Sequence, residues 1–543
     1  MDKLSNALPN AAVTLKVLGG AGVIRPFGPR KLAGLARILK QWGTGPAGGY
    51  ATLALTDPHR VAIVDELGEL TFGDLHRRSN ALSRGLADLG VGEGDSVAIM
   101  CRNHRGFVDA TIATAKLGAD VLYLNTAFAG PQLVDVLERE APSAVIHDEE
   151  FTELLHQADL EQRVLAWTDS DDHKVTLESL ISDHDDSEVD PPERHARIVI
   201  LTSGTTGTPK GAPRNEAGID AAVSLMSRLP LRHGWRTHIA APLFHTWGFA
   251  HLALGMLLGS TVVLRRKFDP EDALRTTQDE RCDSLVVIPV MLQRMLALPE
   301  ESLASHDLSR VKVVAASGSA LPGNLALSWM DHFGDNLYNI YGSTEVAYAS
   351  IATPVDLREA PSSAGRPPHA TVVRIFDQDD RPVADGETGR IFVGNSMLFE
   401  GYTGGGSKDM LDGLMSTGDV GKFGSDGRLY VEGRDDEMIV SGGENVFPRE
   451  VEDCIVGHDD VAEVAAIGID DDDYGKRLRA FVVLREGGDL SEDAVKSHVK
   501  ANLARYKVPR EIVFLDELPR NATGKVLKRD LVDFDAESGQ GDA

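Results

Sequence analysis

From Tyr50 to about residue 330, strand-like apolar runs alternate with segments of helical period, and this alternation restricts the chain more than any other feature. Val61-Ala62-Ile63-Val64 reads as a strand and Leu70-Thr71-Phe72 as another. Residues 75–89 then place apolar side chains at 75, 82, 86 and 89, a helical spacing. Residues 95–100 form the next strand, 107–116 a helix, and 119–124 a strand again. Such a succession predicts an α/β fold: a large N-terminal domain of stacked, mostly parallel sheets with helical cover. With 543 residues, the chain is too long for one core and should divide into two or three units.

After residue 365 the texture changes to short strands with turn signals, a small β-rich subdomain. Asp426-Gly427, between Val420-Gly421-Lys422-Phe423 and Leu429-Tyr430-Val431, is a hairpin turn. Gly433-Arg434-Asp435-Asp436 reads as a junction. A small α+β C-terminal domain follows, with a helix over 449–456, strands over 461–469 and 479–484, and a helix over 492–503. The expected division is an N-terminal extension (1–49), a large domain (50–435), a small mobile domain (436–535) and a disordered tail (536–543). The extension is poorly patterned, Gly-rich and locally basic. Its apolar part, AVTLKVLGGAGVIRPF over residues 12–27, either packs on the body or touches a membrane surface, with packing preferred. The acidic stretch over 182–187 reads as a solvated loop.

A net charge of -28 argues against nucleic acid or an anionic membrane as the main partner. Three scattered cysteines, Cys101, Cys282 and Cys454, suggest a reducing compartment with neither a disulfide framework nor a zinc site. The start Met1-Asp2-Lys3 is no basic leader, and the longest apolar run, 249–264, is too short and too interrupted to span a bilayer. A cytoplasmic protein is expected, with membrane association through the extension left open.

Chemistry concentrates first in residues 201–211, LTSGTTGTPKG, after the apolar run 197–201. Gly204, Gly207 and Gly211 let backbone N–H groups approach an anion, Ser203, Thr205, Thr206 and Thr208 add neutral donors, and Lys210 adds a positive charge. This composition suits a polyphosphate. It is not the common nucleotide loop, because Gly211 follows Lys210 and no hydroxyl is placed to hold magnesium, so a metal ligand must come from elsewhere. Four more clusters stand out. His245 lies among bulky apolar residues in PLFHTWG, a setting more often structural than catalytic. YNIYGSTE (338–345) ends a strand with an aromatic, two hydroxyls and a carboxylate. Asp419 in STGD is placed as a ribose-binding carboxylate would be, and Lys525 in RNATGKVLK follows a flexible Thr523-Gly524.

Taken in order, LTSGTTGTPKG, YGSTE, STGD, GRDDEMIVSGGENVFPREVE and NATGK resemble the ANL superfamily of adenylate-forming enzymes over roughly residues 50–530. Within it, the N-terminal extension, the apolar-rich middle and the GGENVFP form most resemble bacterial fatty acyl-CoA synthetases. The resemblance implies that ATP activates a carboxylate to an acyl-adenylate with loss of pyrophosphate, after which CoA displaces AMP. Carried over by motif, Thr202, Ser203, Gly204, Thr205, Thr206, Gly207 and Lys210 would hold the outer phosphates. Tyr341 would stack on adenine, with Gly318 and Ser319 on its other side and Gly342 and Ser343 beside it. Thr344 would contact the α-phosphate, Glu345 would bind Mg2+, and Asp419 and Arg434 would hold the ribose. Lys525 would bridge the carboxylate and the α-phosphate, and His245 would border the acyl pocket. Asp436 would be the hinge about which the small domain turns, bringing the loop Ser441, Gly442, Gly443 and Glu444 toward CoA. Ala212-Pro213-Arg214-Asn215 and Lys476 depart from common forms, at positions that carry no chemistry.

The implied substrates are a medium- or long-chain fatty acid, ATP and CoA, with no nucleic acid and a homodimer left open. An acyl-AMP ligase loading a carrier protein, an aryl-acid–CoA ligase and a non-catalytic nucleotide-binding protein are the alternatives. Retention of Glu345 and Lys525 argues against the last.

Overall fold

The computed structural model describes residues 2–128, 130–156, 158, 160–170, 175–202, 210–214, 218–399, 401–402, 407–435, 437, 439–441, 444–471, 475–503, 505–521 and 524–532. For 2–10, 202, 210, 212–214, 440, 441, 444, 445, 475 and 506 it describes the backbone alone. An eight-stranded sheet runs in the order Ser350–Ala352, Leu337–Tyr341, Val313–Ala316, Ser284–Val287, Arg236–Ile239, Thr261–Val263, Val61–Asp65 and Gly68–Thr71. Its six interior strands are parallel and both edge strands are antiparallel. A six-stranded sheet runs Arg163–Trp167, Ala144–Asp148, Ser96–Met100, Asp120–Tyr123, Ile198–Thr202 and Lys210–Arg214, parallel except for the last.

The N-terminal stretch forms helices α1 (Asp2–Gly20), α2 (Pro29–Trp42) and α3 (Pro46–Thr56), and the first sheet is followed by α4 (Phe72–Asp88) and α5 (Arg105–Lys116). Leu75 of α4 and Ile112 of α5 share one core with Ile63 of the first sheet and Ile99 of the second. Every residue of α5 is buried. Small Ala110, Thr111, Ala113 and Thr114 allow that fit, and its buried charged groups find partners. Lys116 Nζ donates to Ser79 Oγ at 2.8 Å and Asn80 Oδ1 at 2.5 Å, while Arg105 and Asp109 are in ion pairs. Arg105 Nη2 donates to Asp65 Oδ1 at 2.5 Å, and Asp109 accepts from Arg78 Nη2 at 2.8 Å. The strand expected through Phe72 stops at Thr71. There a capping box takes over, with Asp74 N–H donating to Thr71 Oγ1 at 3.1 Å and Thr71 N–H to Asp74 Oδ2 at 2.9 Å.

The extension is more regular than its sequence suggests. Leu18 and Ala21, at the end of α1, join a core with Val223 and Leu225 of α6 (Ile219–Met226). Pro29 at the first turn and Gly43 just past the end, at φ +70, delimit α2. Residues 182–187 begin as the end of a short helix, Leu177–Asp183, before the loop.

The large unit continues through α7 (Thr246–Leu257) and α8 (Pro289–Leu296). A five-stranded antiparallel sheet follows, in which Leu414–Phe423 pairs with Leu429–Arg434 across the Asp426-Gly427 turn. The C-terminal unit holds five strands, α9 (Pro448–Val456) and α10 (Glu492–Asn502), around a core that includes Val451, Ala480 and Val499. It touches the large unit through Gln293 of α8, whose Nε2 donates to Ala462 O at 3.2 Å and Glu463 Oε1 at 3.1 Å. Asn324 Nδ2 also donates to Val456 O at 3.0 Å.

Candidate active site

Loops that follow the carboxyl ends of neighbouring parallel strands meet at one crevice, the place where open α/β sheets bind ligands. Strand Arg236–Ile239 leads to His245, Ser284–Val287 to Ile288, Val313–Ala316 to Gly318 and Ser319, and Leu337–Tyr341 to Glu345. These loops and the C-terminal unit enclose a cavity of about 2250 Å³. Gly318, Ser319, Tyr341, Gly342, Ser343 and Thr344 line it, and so do Glu345, Asp419, Arg434, His245 and Lys525. Residues separated by up to 280 positions in the sequence thus line one cavity. Two glycines are sterically required. A Cβ on Gly342 would sit 2.2 Å from Ala347 O, and Gly318 has φ +100 with Ile288 Cγ2 only 3.2 Å from where a Cβ would be.

Asp419 and Arg434 are a cross-strand pair, so the sheet itself brings them together. Arg434 Nη1 donates to Asp419 Oδ1 at 3.3 Å, and the Tyr341 hydroxyl donates to Asp419 Oδ2 at 2.6 Å. Burial pushes the Asp419 carboxyl above the usual range, against the pull of Tyr341 and Arg434. It also pushes the Tyr341 hydroxyl up, helped by the neighbouring Asp419 charge.

Glu345 has the opposite balance. Burial raises its pKa, but Tyr402 Oη donates to Oε1 at 2.7 Å and Ser343 Oγ to Oε2 at 2.8 Å, and with the Lys408 charge they hold it below the carboxylate range. It is therefore ionised at neutral pH. Each oxygen keeps a lone pair beyond its hydrogen bond. A hard, ionised oxygen donor lining the cavity fits Mg2+, which takes one or two carboxylates plus phosphate oxygens.

Lys525 lies in a clamped turn. Its N–H donates to Asn521 Oδ1 at 2.9 Å, and Asn521 N–H returns a bond to Lys525 O at 2.9 Å. Arg520 Nη1 donates to Gly524 O at 2.6 Å. Gly524 has φ +76, and a Cβ there would stand 2.4 Å from Val290 Cγ1, so only glycine lets the turn meet α8. Lys528, three residues on, donates to Glu437 at 2.9 Å and reaches Glu452 at 3.0 Å, which ties this turn to the junction between the units.

Part of the expected site lies outside the described residues: Ser203, Gly204, Thr205, Thr206, Gly207, Asp436, Gly442 and Gly443. Their flanks are visible in backbone. Thr202 and Lys210 pair at the end of the antiparallel strands that bracket the glycine-rich loop, and Ser441 pairs with Glu444 in a hairpin.

Three neighbours escaped the sequence reading. Tyr402 donates to Glu345, and Ser317 Oγ anchors the Gly318 loop by donating to Ile340 O at 2.8 Å. Arg449 of α9 also lines the cavity. Its charge acts on Tyr341 and Asp419, and its Nε is buried without a hydrogen-bond partner among the described residues. Arg449 sits in the GGENVFPRE stretch already singled out, and Tyr402 follows the glycine of FEGY, but neither pattern alone marks a contact.

Beyond His245 the cavity turns apolar. His245 precedes the first turn of α7 with its Nε2 buried and without a partner among the described residues, and burial lowers its pKa to about 4. The imidazole is thus neutral near pH 7. Phe249, Ala253 and Met256, at positions i, i+4 and i+7 of α7, carry the lining onward. Tyr50 and Leu53 of α3, with Ala222 and Leu225 of α6, face the same space. Helix α3 is held close because a Cβ on Gly49 would fall 2.2 Å from Met256 Sδ. Phe27, Leu35 and Leu39 line the cavity as well, with Arg25, Thr44 and Thr52.

Among the described residues one other set could gather around a metal: Cys101, His104 and Asp148, all buried and outside the cavity lining. His104 is already committed at both nitrogens. Nε2 bonds Asp148 Oδ1 at 2.8 Å and Nδ1 accepts from Gly106 N–H at 3.1 Å, capping α5. Asp148 also accepts from Arg102 N–H at 2.8 Å, and Cys101 Sγ lies 3.7 Å from Ile146 O, so all three groups have structural partners. The three cysteines are free thiols, Cys101 and Cys282 buried.

Residues 51–403 match the AMP-binding enzyme family, and residues 450–525 match the AMP-binding enzyme C-terminal domain. A feruloyl-CoA synthase from Amycolatopsis sp. is 32% identical over 486 residues, 88% of this chain and 96% of that protein. An indoleacetate–CoA ligase from Aromatoleum aromaticum (strain DSM 19018 / LMG 30748 / EbN1) is 32% identical over 488 residues, 88% of this chain and 95% of its own. Among solved structures, the anthranilate CoA ligase AuaEII in complex with anthranoyl-AMP superposes with a TM-score of 0.81 at 25% identity, covering 90% of this chain and 96% of that one. These relatives are aryl- and acyl-CoA ligases, a broader group than the bacterial fatty acyl-CoA synthetases singled out from the motifs.

Proposed function

The chain belongs to the AMP-binding enzyme family and is an AMP-forming acid–CoA ligase, and from that premise we propose that its acid is a hydrophobic carboxylic acid, with an aryl or arylalkanoic acid as the first choice. One observation carries this reading: the polar cleft holding Lys525, Thr344 and Glu345 continues past His245 into an apolar arm of the same cavity. The names of the relatives, feruloyl and indoleacetate ligases, support the aryl choice.

In the first half-reaction a carboxylate oxygen of the acid attacks the α-phosphorus of ATP. A P–O bond forms, the bond to the β-phosphate bridge breaks, and pyrophosphate leaves. In this proposal residues 202–210 hold the outer phosphates and Thr344 contacts the α-phosphate. Lys525 stands between the carboxylate and the α-phosphate and stabilises negative charge as it grows there. Tyr341 stacks on adenine, while Asp419 and Arg434 receive the ribose hydroxyls. Mg2+ held by Glu345 would neutralise phosphate oxygens. In the second half-reaction the CoA sulfur attacks the acyl carbonyl, the acyl–oxygen bond breaks, AMP leaves and the thiol proton is lost to solvent. Neutral His245 borders the acyl group without adding charge to the apolar arm.

A fatty acid is the second reading. Helix α7 contributes lining from beside His245 to Met256, roughly 17 Å at about 1.5 Å per residue. That is longer than one aromatic ring needs and suits an extended chain or a ring on a spacer.

The test is pyrophosphate release with ATP and Mg2+ over a panel of cinnamic-type acids, arylacetic acids and straight-chain acids of increasing length, each with and without CoA. CoA-dependent turnover that favours aryl acids supports the first choice, and a peak at one chain length supports the second. Release with adenylate accumulating regardless of CoA points to a carrier-protein acceptor. Preference for small polar acids overturns the reading.

A further inference from the structure

Helix α2 is two-faced. Ile38 and Trp42 pack inward against Ala47 and Ala115, and Gly34 abuts Leu55. On the other side Leu32, Ala36 and Leu39 stand at i, i+4 and i+7, with Leu32 52% and Leu39 44% exposed. Ile24 and Leu15 add two more exposed apolar side chains nearby in sequence. Four of the eleven large apolar residues exposed among the described residues thus fall within the first 49 positions. That concentration is not the scatter a soluble surface ordinarily shows.

The charge of this stretch runs opposite to the rest. Residues 1–49 contain seven basic side chains and one acidic, Asp2, in a chain of net charge -28. Exposed Arg30, Arg37 and Lys40 accompany the apolar stripe of α2. A basic helix with an apolar face is the design that lies in a membrane interface. Two copies of this face would bring like charges together, which disfavours self-pairing.

The stripe also adjoins the cavity. Leu39 is both exposed and part of the lining, and Val23, Phe27 and Leu35 line the same end together with Ile219, itself half exposed. The apolar arm therefore reaches the surface beneath α2.

We propose that α2 docks on an anionic lipid bilayer through Leu32, Ala36 and Leu39, and that the hydrophobic acid passes from the bilayer into the cavity beside Leu35 and Leu39. This rests on the reading above that the acid is hydrophobic. The basic side chains reach the headgroups while the leucines enter the acyl boundary, and the rest of the acidic body stays clear of the surface. Such docking is reversible, as expected for one short helix without a lipid anchor.

The test is co-sedimentation of the full chain with vesicles of phosphatidylglycerol and phosphatidylcholine in equal parts, against phosphatidylcholine alone. Two variants are compared, Arg37→Glu/Lys40→Glu and Leu32→Glu, none of these three residues lining the cavity, with thermal unfolding to confirm that both fold. The wild-type chain should pellet with the anionic vesicles only and be released as ionic strength rises. The charge reversal should lower the bound fraction by roughly tenfold or more. Both variants should keep pyrophosphate release from a dissolved acid and lose it from the same acid presented in anionic vesicles. A wild-type chain that stays in the supernatant, or binding unchanged in both variants, overturns the proposal. So does a concentration-dependent dimer in sedimentation velocity that Leu32→Glu abolishes, which would give the face to a second copy. Vesicle binding together with no turnover of any hydrophobic acid would sink the substrate reading and leave the docking standing.

Discussion

The two halves of the cavity are built on opposite principles. In the polar half the functional groups are fastened to one another before any ligand arrives: Tyr341 to Asp419, Asp419 to Arg434, and Tyr402 and Ser343 to Glu345. In the apolar half the lining side chains are held by packing rather than by polar contacts to one another. Phe249, Ala253, Met256, Leu53 and Leu225 come from three helices and meet only by packing, and His245 Nε2 is left without a partner among the described residues. Preorganised dipoles suit a reaction whose charge develops at a fixed point. Apolar walls without directional contacts suit a substrate whose shape varies while its carboxylate does not. On this account the first half fixes the reaction and the second selects the acid.

That division breaks down if damage to the polar half changes which acid is used, or if damage to the apolar half stops the chemistry for every acid. Glu345→Gln should reduce pyrophosphate release for all acids alike, on the order of 10², since it removes a carboxylate charge held ready in the cleft by Tyr402 and Ser343. Gly524→Ala should follow. Its Cβ would fall 2.4 Å from Val290 Cγ1 at φ +76, so the Lys525 turn must shift. A displacement of this kind costs on the order of 10- to 10²-fold in adenylate formation, read by the burst of acyl-adenylate in a quenched reaction.

Ala253→Trp acts on the other half. It should lower kcat/KM for the largest acids by about tenfold or more and leave the smallest nearly untouched, measured across the same panel. Tyr402→Phe sharpens the comparison with the smallest effect. Without that donor the Glu345 carboxyl titrates higher, so activity on the acid side should begin to fall at a higher pH. The acid limb should move to higher pH, while the alkaline limb and the acid preference stay as they were. A pH–rate profile shows whether the limb moves in that direction.

The polar half was largely legible in the sequence because each of its groups sits in a short motif whose local turn fixes its direction. Gly342 and Gly318 are required by contacts a Cβ would violate, so the residue type itself reports the geometry. Asp419 and Arg434 face one another because two strands of a hairpin do, and the Asp426-Gly427 turn gave that hairpin away. Tyr402 and Arg449 were not legible, since each reaches the site across a fold boundary: Arg449 from α9, and Tyr402 from 57 residues beyond Glu345. The apolar half was legible only as apolar sequence. Its depth depends on how closely α3 approaches α7, which turns on Gly49 meeting Met256. Helices α1 and α2 went unread because their apolar positions are diluted by glycines and prolines, and tertiary packing of Leu18, Ala21 and Trp42 supplies what the local pattern does not.

The most direct test of the account separates the two half-reactions in Lys525→Ala. Single-turnover experiments would measure acyl-adenylate formed from acid and ATP, and, separately, thioester formed when a synthetic acyl-adenylate and CoA are supplied. The account predicts that adenylate formation falls by about 10²–10³ or more while thioester formation stays within a few-fold of wild type. Equal loss in both, or adenylate formation left intact, would contradict it.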